Sequence, residues 1–448
     1  MHCLIVRLFL IVLLSKFSVV MADSLDIAKI NQSPLSLSAH LGVLEDVDKT
    51  LTLEDVQKEG VQFKNDFQGS KSINLSYTKS AYWLRLVLEN SSDKSMDKIL
   101  DITHALLAKV DFYWQIDNEN YQTIHTGYAR PLENRAYKGR FFAFPMQLQA
   151  HSRNVIYLRI ETPNAMVIPS HLWEPAAFYQ NERSDYSFQS AYLGLVIAIA
   201  LFSLILAIDL KEFVYFLHVS FIILGVLAVW SYRGVGAESI WPDTPWLTQT
   251  GALWFGAFAF VVELTFIRRI LHTSILLPKL DNVLKLLTGL NSFIAFLLVW
   301  TFSVAKFVVI IIAISSIIIF IVCVIAAFNK ERNAYYLCAG LGIFSLGIII
   351  NTLHNFALVP TNFFTINALQ CGSAIELLIF TLLLSHRYQL IRYEKRRSED
   401  ALMTAKQERV EIESLKQTYF EHHFAIDKAA IFAETDTNGI ITFVNAHF

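Results

Sequence analysis

The sequence predicts a multi-domain membrane protein, built from an all-β sandwich outside the bilayer, a bundle of seven transmembrane α-helices, a cytoplasmic helix with coiled-coil character, and the opening of one further domain. Three observations carry that expectation. Of 448 residues, 54% are hydrophobic and only 17% charged, against about 45–50% and about 25% in soluble globular chains. The apolar residues gather into membrane-length runs almost entirely after residue 187, whereas residues 23–186 are rich in Asp, Asn, Ser and Tyr and hold no such run. Beyond residue 386 the composition turns abruptly to Ala, Glu, Lys, Gln and Arg. A formal charge of −2 leaves no basic excess to grip nucleic acid through its phosphates.

Each segment has its own reason. Residues 1–22 place His2 and Arg7 ahead of an apolar core at 8–14 and end on Val20-Met21-Ala22, the small-x-small pattern of a secretory cleavage site. Lys16 interrupts that core, so an uncleaved anchor is the alternative; either delivers the next segment across a membrane. Within 23–186, strand patterns at 81–88, 110–114, 139–148 and 154–160 are separated by turn-forming clusters such as Glu89-Asn90-Ser91-Ser92 and His151-Ser152. Strands at that spacing, with no helix patterns between them, predict an antiparallel sandwich, and one short helix is expected within 50–60. The four cysteines are Cys3, Cys323, Cys338 and Cys371, so no disulfide staples this domain.

Seven apolar runs come next, at 188–208, 213–231, 248–267, 286–302, 307–328, 335–356 and 366–385, each near the ~17–25 residues a helix needs to cross the hydrocarbon. With the N-terminal domain outside, one face collects Lys211, Arg268, Arg269, Lys279, Lys285, Lys330, Arg332, Arg387, Arg392, Lys395, Arg396 and Arg397, and the other only Arg183, Arg233 and Lys306. Lys and Arg accumulate on the cytoplasmic side of short loops, so this asymmetry predicts a periplasmic N-terminal domain and a cytoplasmic C-terminus. His218, Glu263, His354, Asn355, Gln370 and Glu376 lie inside the runs. An ionisable group there is costly and faces a partner or a cavity, which makes Glu263 and Glu376 candidates for coupling across the membrane. The plainer readings are that Glu263, five residues before Arg268, reaches the inner surface, and that Glu376 makes a structural interhelical hydrogen bond.

Residues 387–424 contain no Pro or Gly and begin with a basic cluster, which predicts a helix continuing out of the seventh run past anionic headgroups. Leu402, Ala405, Arg409, Ile412, Lys416 and Tyr419 follow imperfect a/d spacing, the seam of a parallel dimer. In 425–448, two β-rich runs flank Asp436-Thr437-Asn438-Gly439, the chemistry of a hairpin turn. A lone hairpin is marginal in water, so the chain is expected to be cut off inside a domain that continues.

These parts resemble the bacterial seven-transmembrane receptors with diverse intracellular signalling modules, the 7TMR-DISM family. Ser80-Ala81-Tyr82-Trp83-Leu84-Arg85-Leu86 followed by Glu89-Asn90 resembles a strand of its type 2 extracellular domain. Tyr192-Leu193-Gly194-Leu195, Phe213-Val214-Tyr215-Phe216-Leu217 and the stretch from Glu376 through Leu384 to His386-Arg387 are similar to its membrane region. The final twenty residues resemble the opening of an α/β PAS domain. The resemblance implies a signal peptide (1–22), a jelly-roll periplasmic sensor akin to carbohydrate-binding modules (23–186), a seven-helix region (187–386) in the bacterial inner membrane, a signalling helix or coiled coil (387–424) and the beginning of a PAS domain (425–448). It further implies a histidine kinase as output of the full-length protein, with a diguanylate cyclase as the alternative. No His-box with a nucleotide-binding region, Gly-Gly-Asp/Glu-Glu-Phe string or P-loop is present, so no catalytic residue and no cofactor are expected in this chain.

The expected function is therefore signal transduction by a receptor that meets a small periplasmic ligand, carbohydrates among the candidates, and whose other partners are the bilayer and a second copy of the chain. A transporter or channel with an accessory domain is the competing class; no runs are broken by Gly or Pro at matching positions of two halves, the pattern of inverted-repeat carriers. For the ligand, Trp83, Trp114, Tyr128 and Trp173 have the apolar bodies and polar tips that stack on sugars, although such residues more often fill a sandwich core. Arg130 and Arg140 are candidates to meet an anionic ligand, or are simply exposed.

Overall fold

The computed structural model describes residues 24–444 apart from 31, 68, 71, 117–119, 302–303, 356–357, 360–361, 430 and 432. The export signal expected in 1–22 and the side chains of Lys306 and Asn355 lie outside the described residues. The N-terminal part runs β1 (Leu25–Asp26), β2 (Leu35–Ser36), β3 (Gly42–Asp46), α1 (Leu53–Gln57), β4 (Ile73–Asn74), β5 (Ala81–Glu89), β6 (Met96–Ile102), β7 (Lys109–Ile116), β8 (Gln122–Thr126), β9 (Phe142–Leu148), β10 (Arg153–Glu161), β11 (Val167–Ile168) and β12 (Ser170–Trp173). One sheet has the order β1-β5-β10-β7-β8 with β3 also on β5, the other the order β2-β12-β6-β9, and β4 pairs with β11.

Period-two alternation explains why the sheets stack. Leu84, Leu86 and Leu88 of β5, Val110 and Phe112 of β7, and Ile156, Leu158 and Ile160 of β10 point one way and meet Leu100, Phe142, Phe144 and Leu172 of the second sheet in one core. Phe112 and Phe144 stack across the layers with ring centroids 4.3 Å apart. The register aligns these residues: Ile156 lies opposite Leu86 and Leu158 opposite Phe112. The outer face of the first sheet is not bare, because Trp83, Tyr157 and Tyr113 are covered by Val56 and Leu53 of α1. That helix is fixed by a capping box between Thr52 and Asp55, and it is the short helix expected in 50–60.

The remaining helices are α2 (Pro175–Leu210), α3 (Phe213–Arg233), α4 (Val235–Ser239), α5 (Pro245–Ile270), α6 (Thr273–Leu276), α7 (Pro278–Leu297), α8 (Ala305–Phe328), α9 (Arg332–Asn355) and α10 (Phe363–Ala429). Seven of them, α2, α3, α5, α7, α8, α9 and α10, are long and apolar enough to cross a membrane. The first begins earlier than its apolar run: Pro175 opens α2 directly after β12, so the boundary expected at residue 186 falls inside a helix. Proline suits that first helical position, where its missing N–H is not needed. The fourth also starts early, at Pro278, because Asp281 in its first turn is held by Arg268 (2.9 Å), Thr273 (2.6 Å) and Lys285 (2.8 Å).

Two glycines set the contact between α9 and α10. A Cβ on Gly347 would lie 2.7 Å from the Ala368 carbonyl oxygen, and Gly372 faces Gly347 and the Ile343 carbonyl, a close approach that small residues permit between membrane helices.

Leu383–Phe448 form a second compact unit. Its helix is exposed all round over 393–422, with Leu402, Ile412, Leu415 and Tyr419 each more than half accessible. The hairpin β13 (Ala433–Thr435) and β14 (Ile441–Val444) comes after it. Asp436 Oδ1 accepts the N–H groups of Asn438 (2.9 Å) and Ile440 (2.8 Å), while Gly439 takes φ +84°, as the turn chemistry predicts.

Candidate ligand cavity between the sandwich and the bundle

The outer face of the second sheet is apolar where it meets the membrane part. Ile99, Ala143 and Trp173 pack with Phe178 of α2, and this patch seats the sandwich on the first helix. Beside it opens a cavity of about 420 Å³. Asp101, His104, Arg140 and Trp173 line it from the sandwich, and Asp185 of α2 and Arg233 of α3 from the helices; the start of α10 closes it at Asn367.

Local sequence explains why these groups converge. Arg233 is the last residue of α3, where a cation suits the negative end of the helix dipole. Gly234 then ends the helix at φ +77°, and a Cβ there would lie 2.5 Å from the Ala105 Cβ, so only glycine lets the end of α3 approach the sandwich this closely.

Asp185 sits between two guanidinium groups. Arg140 pairs with it from the sandwich, and Arg233 Nη2 donates to its Oδ1 at 3.3 Å and to Asn367 Oδ1 at 3.4 Å. One network thus joins the sandwich, α2, α3 and α10. Of the other acids in the wall, Glu182 accepts from Tyr137 at 2.5 Å, whereas Asp101, 3.3 Å from His171 Nδ1, keeps its buried Oδ1 without a hydrogen-bond partner. Arg140 Nη1, Arg233 Nε, His104 Nε2 and Trp173 Nε1 are likewise buried without a hydrogen-bond partner. Burial, and next the positive Arg233, hold the Arg140 guanidinium down to about 9. Burial pushes His104 down to about 4, opposed by its bond to the Ala165 backbone, so its ring is neutral at neutral pH.

Contacts continue from this wall into the bundle. Gln189 of α2 and Gln370 of α10 exchange two amide hydrogen bonds at 3.2 and 2.7 Å, and the Tyr192 and Ser373 hydroxyls meet at 3.1 Å.

Of the candidate ligand residues named from sequence, Trp173 and Arg140 line the cavity and the others lie elsewhere. Trp83 is 1% exposed and stacks on Tyr113 at 5.7 Å. Trp114 is in the main core and donates its N–H to Asn154 at 3.0 Å. Tyr128 is buried, its hydroxyl toward Thr162 and Asn164. Arg130 pairs with Asp111 and donates to the Thr126 carbonyl at 3.1 Å. Neither Trp83 nor Trp114 thus presents a ring face to solvent. Glu263 and Glu376 are 2% and 1% exposed, so Glu263 stays inside the bundle instead of reaching the surface; the Oε1 of each has no hydrogen-bond partner. His218 donates to or accepts from Thr381 Oγ1 at 3.3 Å and stacks on Phe266. Asp185 escaped the sequence reading, and Arg233 entered it only as a charge outside the membrane. The signal available was a carboxylate just before the first apolar run and an arginine just after the second.

The family model described as 7TMR-DISM extracellular 2 matches residues 38–174, and the one described as 7TM diverse intracellular signalling matches residues 185–387. No curated protein matches. Among solved structures, the GH26-CBM35 β-(1,4)-mannanase of Podospora anserina matches with 14% identity over 30% of this chain and 27% of that one, at a TM-score of 0.15; the chain thus spans little more than a quarter of that enzyme's length. With a β domain matching the extracellular model and seven membrane-length helices matching the other, the chain belongs to the 7TMR-DISM family and is a multi-pass membrane receptor for signalling.

Proposed function

We propose that this receptor senses a small periplasmic molecule in the cavity beneath its sandwich and passes the state of that site through the seventh membrane helix to a cytoplasmic output. The observation that carries the reading is the Arg140–Asp185–Arg233–Asn367 network, which ties the sandwich to α2, α3 and α10 across the cavity wall. A molecule that favours one arrangement of this wall biases the packing of the helices attached to it, by as much as its affinities for the two arrangements differ. Trp173 and the neutral ring of His104 suit a hydroxylated ligand, sugars among them. The helix of 387–424 serves in this reading as the dimeric signalling element, and the hairpin at 433–444 as the opening of a PAS domain ahead of a histidine kinase, in a protein of the bacterial inner membrane.

Two experiments test it. Reporter fusions after residues 180 and 390 are expected to be active on opposite sides of the inner membrane; activity on the same side refutes the topology. For the site, the intact chain in lipid nanodiscs is titrated with a panel of neutral and acidic sugars, beside a Thr103→Trp variant whose indole fills the cavity. Binding lost in the variant supports the reading, and binding that survives in it refutes it.

A further inference from the structure

The chemistry of the wall narrows the ligand. Two guanidinium groups, Arg140 and Arg233, share the single carboxylate of Asp185. Arg140 is 3% exposed, and both arginines keep a buried nitrogen with no partner, as does the Trp173 indole. Glu182 already accepts from Tyr137, and Asp101 stands 3.3 Å from His171 Nδ1 without a hydrogen bond to its Oδ1. Asp101 Oδ1 is an unpaired acceptor in the same wall, but the unpaired guanidinium and indole nitrogens outnumber it. Buried donors left unpaired keep their full desolvation penalty, and a carboxylate is the group that satisfies a guanidinium fork most completely.

We infer, on the reading of this cavity as the sensory site, that its ligand is a small organic carboxylate that competes with Asp185 for Arg140 and Arg233. The unpaired nitrogens are covered in the present arrangement, so the incoming carboxylate reaches them only as the Asp185 side chain gives way. Exchange of one carboxylate for another conserves charge pairing at both arginines. It also loosens α2 from the sandwich and from α3, which links occupancy of the cavity to helix packing. The volume of about 420 Å³ bounds the ligand to the size of a dicarboxylic acid or a single sugar acid.

The test is calorimetry on the intact chain in nanodiscs with succinate, D-glucuronate and D-glucose as probes. An acid is expected to bind saturably at millimolar concentration or below and D-glucose not. Arg140→Met and Arg233→Met each weaken acid binding about tenfold or more. Asp185→Asn removes the internal competitor and tightens it about tenfold, a gain that misfolding does not produce. The inference is overturned if neither acid binds, if D-glucose binds as tightly as D-glucuronate, or if Asp185→Asn leaves affinity unchanged or lower. Glucose binding abolished by Thr103→Trp keeps the cavity as the sensory site and discards the carboxylate; binding of any probe indifferent to Thr103→Trp discards the sensory site itself.

Discussion

The Gln189–Gln370 pair offers the sharpest test of whether α2 and α10 move as one. Both side chains are buried, and each amide donates to the other at 3.2 and 2.7 Å. Hydrogen bonds between membrane helices contribute about 0.6 kcal/mol on average and up to about 1.7 kcal/mol, so the two together couple the helices by about 1–3 kcal/mol. Gln370→Leu removes both bonds and leaves the Gln189 amide unpaired, and Gln189→Leu does the reverse. The double Leu variant leaves no orphan, so it is expected to lose less stability than the two single variants added together. The assay is equilibrium unfolding of the four proteins in mixed micelles, read as a double-mutant cycle. A coupling of about 1–3 kcal/mol corresponds to about a 5- to 150-fold bias between two packings, so the single variants are also expected to shift the receptor's resting output. Single-variant losses that add to within about 0.5 kcal/mol refute the claim that this pair couples the helices.

Three further outcomes are expected. Trp83→Ala empties the space under α1 and lowers stability by about 3–5 kcal/mol, seen as an earlier melt of the intact chain; a selective loss of ligand affinity with unchanged stability contradicts its place in the packing. His104 has its ordinary value of 6.5 moved down to about 4. Below pH 6.5 the unfolded chain takes up a proton that the folded one refuses, so stability falls from there until about pH 4; melting curves of His104→Gln across that window are flatter than those of the parent, and identical slopes refute the assignment. Ile412, 54% exposed on the helix beyond the membrane, is expected as Ile412→Cys to cross-link two copies under mild oxidation, and a chain that stays monomeric on a denaturing gel argues against dimerisation through this helix.

How legible all this was in the sequence depends on the range of the forces involved. Membrane spans are local and strong signals, because each unsatisfied backbone group in lipid forces a full-length helix; the apolar runs emerge directly, while the division between the fourth and fifth rests on the distribution of Lys and Arg. Strand alternation likewise marks β5 and β10. What the sequence hides is which face of a strand is covered. Trp83 reads as a core residue more readily than as a ligand platform, but what covers it emerges only when α1, from a segment some thirty residues earlier, is seen to lie on it. The helix starts at Pro175 and Pro278 were equally hidden, since polar residues such as Glu182, Asp185 and Asp281 lower hydropathy without stopping a helix. The cavity was least legible of all. Its defining contacts join Arg140, Asp185, Arg233 and Asn367, residues brought together only by tertiary packing, whereas candidates chosen by side-chain type fell mostly into cores.

The arrangement of the cavity also determines which contacts are free to change. Ile99, Ala143, Trp173 and Phe178 hold the sandwich to the start of α2 by apolar packing, which has no alternative partner. The arginine network is different, because a guanidinium accepts any carboxylate of suitable reach. Moving a two-state receptor from one per cent to ninety-nine per cent active takes about 5.5 kcal/mol of differential binding. A hydrogen bond to a charged group contributes about 1.5–3 kcal/mol, so two arginines remade around a new carboxylate supply about 3–6 kcal/mol. That is enough to drive most of the transition without any other contact. Under the proposed sensory role the charged groups have to stand where the sandwich, α2, α3 and α10 meet, since a ligand held by the sandwich alone has no differential contact with the helices and shifts nothing, however tightly it binds.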